Sequence, residues 1–89
     1  MAQYTVQFKS SAARQLRKLD RPVRVRISTV VDSLASNPRP AGAEKFQGEE
    51  SILRLRVGDY RILYQIVDDR LIVLVVRVGH RREVYRQPF

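Results

Sequence analysis

Residues 51–67 read Ser-Ile-Leu-Arg-Leu-Arg-Val-Gly-Asp-Tyr-Arg-Ile-Leu-Tyr-Gln-Ile-Val, and this stretch decides the fold. Ile52 to Val57 alternates, with Leu53, Leu55 and Val57 on one side and Arg54 and Arg56 on the other. Gly58-Asp59 is a two-residue turn signal, and Tyr60 to Val67 alternates again. A hairpin with that loop pairs Val57 with Tyr60, Leu55 with Ile62 and Leu53 with Tyr64, all on one apolar face. The same count sets Arg56 opposite Arg61 and Arg54 opposite Leu63 on the other face. Asp68-Asp69-Arg70 gives a second tight turn into Leu71–Val78. With three loop residues, Ile62, Tyr64 and Ile66 meet Val76, Leu74 and Ile72, and Arg77 falls opposite Arg61. One face of the sheet is then core, and the other carries Arg54, Arg56, Arg61 and Arg77.

Stability alone would not choose such a face. Like charges directly across a sheet repel by roughly a few tenths of a kcal/mol to 1 kcal/mol when exposed. A face selected for stability would mix the two signs of charge. Four guanidiniums with no acid interleaved between them along these strands point to an anionic ligand that supplies the missing charge. Phosphate is the natural partner, because the planar fork of arginine matches its oxygens.

The rest of the composition agrees. Seventeen basic against nine acidic residues give a net charge of +8 on 89 residues, the balance of a polyanion binder or of a partner for an acidic protein. Three of the seventeen are lysines (Lys9, Lys18, Lys45), so the remaining fourteen are arginines. A chain of this length is expected to form one domain, residues 1–89, with a modest core. It has no cysteine, which excludes a disulfide framework and thiolate-bound zinc. No apolar run reaches membrane-spanning length and the start does not read as a signal peptide, so the expected compartment is the cytoplasm, away from membranes.

Outward from the hairpins, Tyr4, Val6 and Phe8 alternate with Thr5 and Gln7 as a short strand. Ser10-Ser11 can cap a helix in which Ala12 or Ala13, Leu16 and Leu19 face the core and Arg14, Arg17 and Lys18 face water. Asp20 can cap the next helix, with Pro22 tolerated in its first turn. Val23, Ile27, Val30 and Leu34 form its apolar stripe, widened by Val31. The run from Ser36 to Gly42 stops it, and a short strand is expected within Glu44 to Gly48, around Lys45-Phe46. The two helices form a hairpin that covers the apolar face of the sheet. Arg21, Arg24 and Arg26 read either as a solvated helix face or as phosphate contacts.

The acids are scattered over helices and turns, and they supply no convincing metal-binding set; no metal and no cofactor is expected. His80 is the single histidine, which excludes a two-histidine ribonuclease mechanism. It reads either as an exposed turn residue after Gly79 or as a proton carrier, since free imidazole titrates near pH ~6.5. Tyr85 either packs its ring at the core edge or stacks on a base. What remains is the arginine face, Arg81-Arg82 and Tyr85.

Two segments are specific. Arg-Val-Gly-Asp-Tyr-Arg-Ile-Leu-Tyr at 56–64 and Val-Gly-His-Arg-Arg-Glu-Val-Tyr at 78–85, with the strand and two helices before them, resemble the RelE/ParE superfamily of toxins. The resemblance covers essentially the whole chain. It implies an α+β, RelE-like β-α-α-β-β-β fold, an antiparallel sheet with a two-helix hairpin packed on one face. It also implies the toxin of a type II toxin–antitoxin pair. RelE-like members are metal-independent endoribonucleases that cleave messenger RNA in the ribosomal A site by attack of the 2′-hydroxyl. ParE-like members share the fold and inhibit DNA gyrase without nuclease activity.

By this resemblance Arg61 matches the arginine that stabilises the attacked phosphate, and Arg81 the group that protonates the 5′-oxygen leaving group. Tyr85 matches the tyrosine that engages a base or orients the 2′-hydroxyl. Arg54 occupies a catalytic basic position where the best-known pattern carries lysine. Arg56 also falls on a basic position, and Arg77, Arg82 and His80 join it as substrate-binding candidates. The departure is Ile52, where the pattern carries a second lysine. The partners implied are mRNA on the ribosome, with the ribosomal RNA of its A site, and a cognate acidic antitoxin.

Overall fold

The computed structural model describes residues 3–46 and 51–84. Strand β1 (Thr5–Phe8) leads into helix α1 (Ser10–Arg17) and helix α2 (Arg21–Ser33). A loop then reaches the two-residue strand β2 (Glu44–Lys45) and the long strands β3 (Ile52–Val57), β4 (Tyr60–Val67) and β5 (Ile72–His80). The strands form one five-stranded sheet in the order β1-β5-β4-β3-β2. The α+β class stands, with one difference: the sheet is mixed, because β1 runs parallel to β5 from Thr5↔Ile72 to Phe8↔Val75. Among the described residues no helix is long and apolar enough to cross a membrane.

The β3–β4 hairpin has the register that its loop demands, from Val57↔Tyr60 to Ile52↔Gln65, with Arg56 opposite Arg61. Gly58 takes φ +59° and Asp59 keeps a negative φ, the pattern of a type II′ loop. Ala12, Ile27, Val31 and Leu34 of the helical segment are buried against Leu55, Val57, Ile62, Tyr64, Val73, Val75 and Val78 of the sheet. Leu16, Leu19, Val23 and Val30 line the edge of that core, as their spacing requires.

The second hairpin differs from its expected register. Its loop has four residues, because Leu71 adopts the left-handed conformation (φ 53°, ψ 50°) and Val67 pairs with Ile72. That single residue reverses the faces. Val73 and Val75 enter the helix-side core, while Leu74 and Val76 turn to the opposite face. A β-bulge then restores the parity: Tyr64 pairs with Val75 but Leu63 with Arg77, leaving Val76 extra. Arg77 therefore lies opposite Leu63, and Gly79 is the residue opposite Arg61.

Smaller corrections concern the ends of elements. Lys9, rather than a serine, stands at the N-cap of α1, and Asp20 at the N-cap of α2 makes no side-chain capping bond. α2 ends at Ser33, and β2 is Glu44–Lys45, at the start of the expected strand, whose residues 47–48 lie outside the described ones.

At the far end of β4 from Gly58, a clasp fixes the connecting loop. The Tyr4 hydroxyl donates to Asp68 Oδ1 at 2.6 Å, and Arg39 donates to both Asp68 oxygens at 3.2 and 2.8 Å. Hydrogen bonds from Arg39 and Tyr4 hold the Asp68 carboxyl down at about 2. The buried Tyr64 donates to the Pro38 carbonyl at 2.8 Å, and burial pushes its phenol up to about 12. The loop so held delivers β2 beside β3.

Candidate functional site

The sheet face away from the helices has two parts. One is a small apolar cluster of Ile52, Leu63, Val76 and Val84, with Phe46 and Leu74 packed against it. Beside it lies an open cleft of about 500 Å³ lined by Arg54, Arg56, Arg61, Arg81, Arg82, Glu44 and Gly42. Five guanidiniums thus converge from three separate parts of the chain.

β3 supplies Arg54 and Arg56, two residues apart and so on one face. β4 supplies Arg61. Its Nη1 donates to the carbonyls of Gly58 at 3.2 Å and Tyr60 at 3.0 Å, and Arg56 Nε reaches the same Gly58 carbonyl at 3.4 Å. The hairpin loop therefore orients two cations that would otherwise repel across the strands.

Arg81 and Arg82 arrive by a turn that curls back after β5. The Arg81 N–H donates to the Asp59 carbonyl at 2.8 Å, and the Glu83 and Val84 N–H groups donate to the His80 carbonyl at 2.8 and 2.9 Å. Val84, 2% exposed, drops into the apolar cluster as the anchor of the turn. Arg77 Nη1 donates to the Val84 carbonyl at 2.9 Å and closes it from below.

Of the residues singled out in the sequence, Arg54, Arg56, Arg61, Arg81 and Arg82 line the cleft together. Arg77 and His80 do not; both border a second groove on the α1 side with Gln15, Lys18 and Tyr60. His80 pairs with Tyr60 across the sheet in an edge-to-face contact with ring centroids 5.5 Å apart. Its Nδ1 accepts the Arg82 N–H at 3.2 Å, so the ring braces the turn. Tyr85 lies outside the described residues. Ile52, in place of the pattern's lysine, is 6% exposed within the apolar cluster, where an ammonium would be stranded.

Sequence reasoning missed Glu44. The arginine face does have an interleaved acid, on β2: Glu44 pairs with Arg54 in register and forms an ion pair at 2.9 Å. No periodicity marks a two-residue strand, so only the β2–β3 pairing reveals this carboxylate. Among the described residues no three His, Cys, Asp or Glu side chains gather as a metal site would need.

A family model described as the ParE toxin of the type II toxin–antitoxin system parDE matches residues 6–85. The chain is 35% identical over 88 residues to toxin RelG of Mycobacterium tuberculosis, covering 94% of this chain and 98% of that protein. It is 32% identical over 88 residues to the mRNA interferase toxin RelE of Escherichia coli, covering 94% and 92%. Among solved structures, it matches a chain of the toxin–antitoxin complex RelBE2 from Mycobacterium tuberculosis at TM-score 0.79 and 31% identity, over 89% of this chain and 99% of that one. The isolated E. coli RelE toxin matches at TM-score 0.76 and 26% identity, over 86% and 83%.

Proposed function

Since the chain belongs to the ParE toxin family of type II toxin–antitoxin systems, within the RelE/ParE superfamily, we propose that it is an endoribonuclease that cuts messenger RNA in the ribosomal A site. The observation that carries this reading is the convergence of Arg54, Arg56, Arg61, Arg81 and Arg82 in one open cleft.

RNA brings its own nucleophile. The 2′-oxygen attacks the adjacent phosphorus, the bond to the 5′-oxygen breaks, and the products are a 2′,3′-cyclic phosphate and a 5′-hydroxyl. The protein must align these atoms and stabilise the charge that grows on the phosphoryl oxygens. Arg61, held by two carbonyls, is preorganised for that charge. Arg81, fixed at the start of the turn, faces the leaving oxygen and acts by hydrogen bonding, since a guanidinium holds its proton too firmly to give it up readily. Arg54, Arg56 and Arg82 hold the flanking phosphates, and Tyr85 stacks on a base or orients the 2′-hydroxyl. Ribosomal RNA completes the positioning, which is why so sparse a set of groups suffices without a metal.

A cognate acidic antitoxin is the second partner. The +8 charge steers acidic proteins, and several structural relatives are toxin–antitoxin complexes.

The test is primer extension on a translated message with and without ribosomes. Cuts that need ribosomes, persist in chelator with ribosomes intact and leave 5′-hydroxyl ends support the reading; 5′-phosphate ends overturn it. The description of the matching family model favours a second reading, inhibition of DNA gyrase, so supercoiling is assayed in parallel. Supercoiling inhibited with the message left uncut would establish that alternative.

A further inference from the structure

We propose that Arg26 of α2 is a further phosphate-binding residue, which takes the RNA strand where it passes out of the arginine cleft over the Gly58–Asp59 loop. The inference rests on the cleft being a phosphate site, as proposed above.

α2 brings Arg26 to the hairpin loop from the helix side of the sheet. A Cβ placed on Gly58 would lie 3.4, 3.5 and 3.8 Å from its Nη2, Nη1 and Cζ atoms. The two terminal nitrogens lie nearer than the carbon between them, so the forked end of the guanidinium is set against the loop. Arg56 and Arg61 meet the same residue from the cleft side, through its carbonyl oxygen. Guanidiniums from α2, β3 and β4 thus surround Gly58.

Stability does not account for this placement of Arg26. The residue is exposed, and a long, flexible side chain is free to carry its charge into solvent, away from the other cations. Among the described residues it takes part in no hydrogen bond and no ion pair, and Asp59, the acid of the loop, forms no ion pair either. Arg24 differs, because its Nη1 donates to the Leu19 carbonyl at 3.3 Å and so ties α2 to the end of α1. The first turn of α2 holds no acid, although the positive end of the helix dipole favours one there.

Phosphate is the ligand that this arrangement suits. A strand bound by Arg56 and Arg61 lies against the near side of the loop, and only Gly58 separates it from Arg26. Without a side chain at that position, the strand crosses at the height of the backbone. Its next phosphate then meets a guanidinium that turns to it without breaking any bond inside the described chain. Such a contact positions the strand and reads no sequence.

The experiment measures binding of a mixed-sequence single-stranded DNA oligonucleotide, which has no 2′-hydroxyl and is not cut by the proposed chemistry. The full chain and its variants are compared over a salt series. Arg26→Gln should bind about threefold more weakly near physiological salt, the scale of one exposed ionic contact. Its log–log salt slope should be shallower by about 0.7, the share of one single-strand phosphate. Arg26→Lys keeps a charge that phosphate accepts and should keep the slope. Arg14→Gln removes the same charge from an exposed position on α1 and should leave the slope unchanged. Thermal unfolding of all three should match the parent chain, since neither arginine makes a hydrogen bond among the described residues.

An unchanged slope in Arg26→Gln overturns the proposal. So does an equal change in Arg14→Gln, which would make the effect one of net charge. A loss in Arg26→Lys as large as in Arg26→Gln overturns it too, by placing the effect in packing against Gly58. Weaker ribosome-dependent cutting with oligonucleotide binding untouched would assign Arg26 to ribosomal RNA and equally end the proposal. Failure of the underlying reading looks different: Arg61→Ala and Arg81→Ala would then leave oligonucleotide binding untouched.

Discussion

Arg56 and Arg61 face each other across β3 and β4, and both direct a guanidinium N–H to one acceptor, the Gly58 carbonyl, at 3.4 and 3.2 Å. A single backbone oxygen thus sits between two like charges and fixes the direction of both. The arrangement holds charge in place for a ligand at small cost to the fold.

Arg61→Ala is therefore expected to abolish most cleavage and leave the fold intact. Loss of a preorganised charge-stabilising donor costs on the order of 10²–10³-fold in rate. Stability should move by no more than about 0.5 kcal/mol, because the side chain touches carbonyls at the cleft and supports no core residue. Arg61→Lys keeps the charge, loses the fork and recovers only part of the rate. Thermal unfolding beside ribosome-dependent cleavage checks both halves. A melted Arg61→Ala variant would show that Arg61 is structural.

Arg77→Ala should behave differently, because Arg77 holds the turn through the Val84 carbonyl and does not line the cleft. Losing that bond costs about 1–2 kcal/mol. Cleavage should fall with it, roughly tenfold, as Arg81 and Arg82 lose their fixed positions. Arg77→Gln, which keeps an N–H donor, should recover activity that Arg82→Gln does not. Equal stability of Arg77→Ala and the parent chain would remove this assignment.

Gly58→Ala tests the hairpin loop. The backbone there has a positive φ, which costs a side chain at least about 1 kcal/mol, and an added Cβ would meet Arg26 Nη2 at 3.4 Å. Unfolding should be easier by at least that amount, and cleavage weaker because the shared acceptor moves. Repeating the substitution in an Arg26→Ala chain removes that contact and leaves the conformational cost. Full recovery of stability there would show that the backbone angle carries no penalty.

The Asp68 clasp predicts a pH dependence. Its carboxyl titrates at about 2 in the folded chain, below the ordinary value near ~3.9, so the unfolded chain takes up the proton first on acidification. The clasp's stabilisation is fully present above about pH 4 and disappears as pH falls towards 2. Asp68→Asn should lower stability at neutral pH and flatten the loss over that acid window. Tyr64 has the opposite sign: raised to about 12, it contributes stability below pH ~10 that is lost as pH rises through 12. Denaturant titrations across both ranges, with Tyr64→Phe as the alkaline control, check the two signs.

The sequence alone determined the β3–β4 hairpin and the charge of its outer face. A two-residue loop leaves one register, and the alternation from Leu53 to Ile62 separates the helix-side face from the arginine face until Leu63 breaks it. The helical stripes were legible for the same reason: Ile27, Val31 and Leu34 recur at the spacing of one helix face. Arg54, Arg56 and Arg61 followed from these patterns. Arg81 and Arg82 stood out as the remaining adjacent cations, the resemblance over 78–85 gave Arg81 its expected role, and the structure places both beside the others.

Strand β5 was decided only in three dimensions. Ile72-Val73-Leu74-Val75-Val76 is apolar at every position, so a period of two carries no information about which face is which. The left-handed Leu71 and the bulge at Val76 set the parity, and both answer to apolar packing on two sides of the sheet at once. The parallel placement of β1, the Glu44–Arg54 pair and the return of Val84 over the sheet are likewise contacts between distant segments. Local propensity cannot encode them, because each exists only once the other strands have supplied a surface to bind.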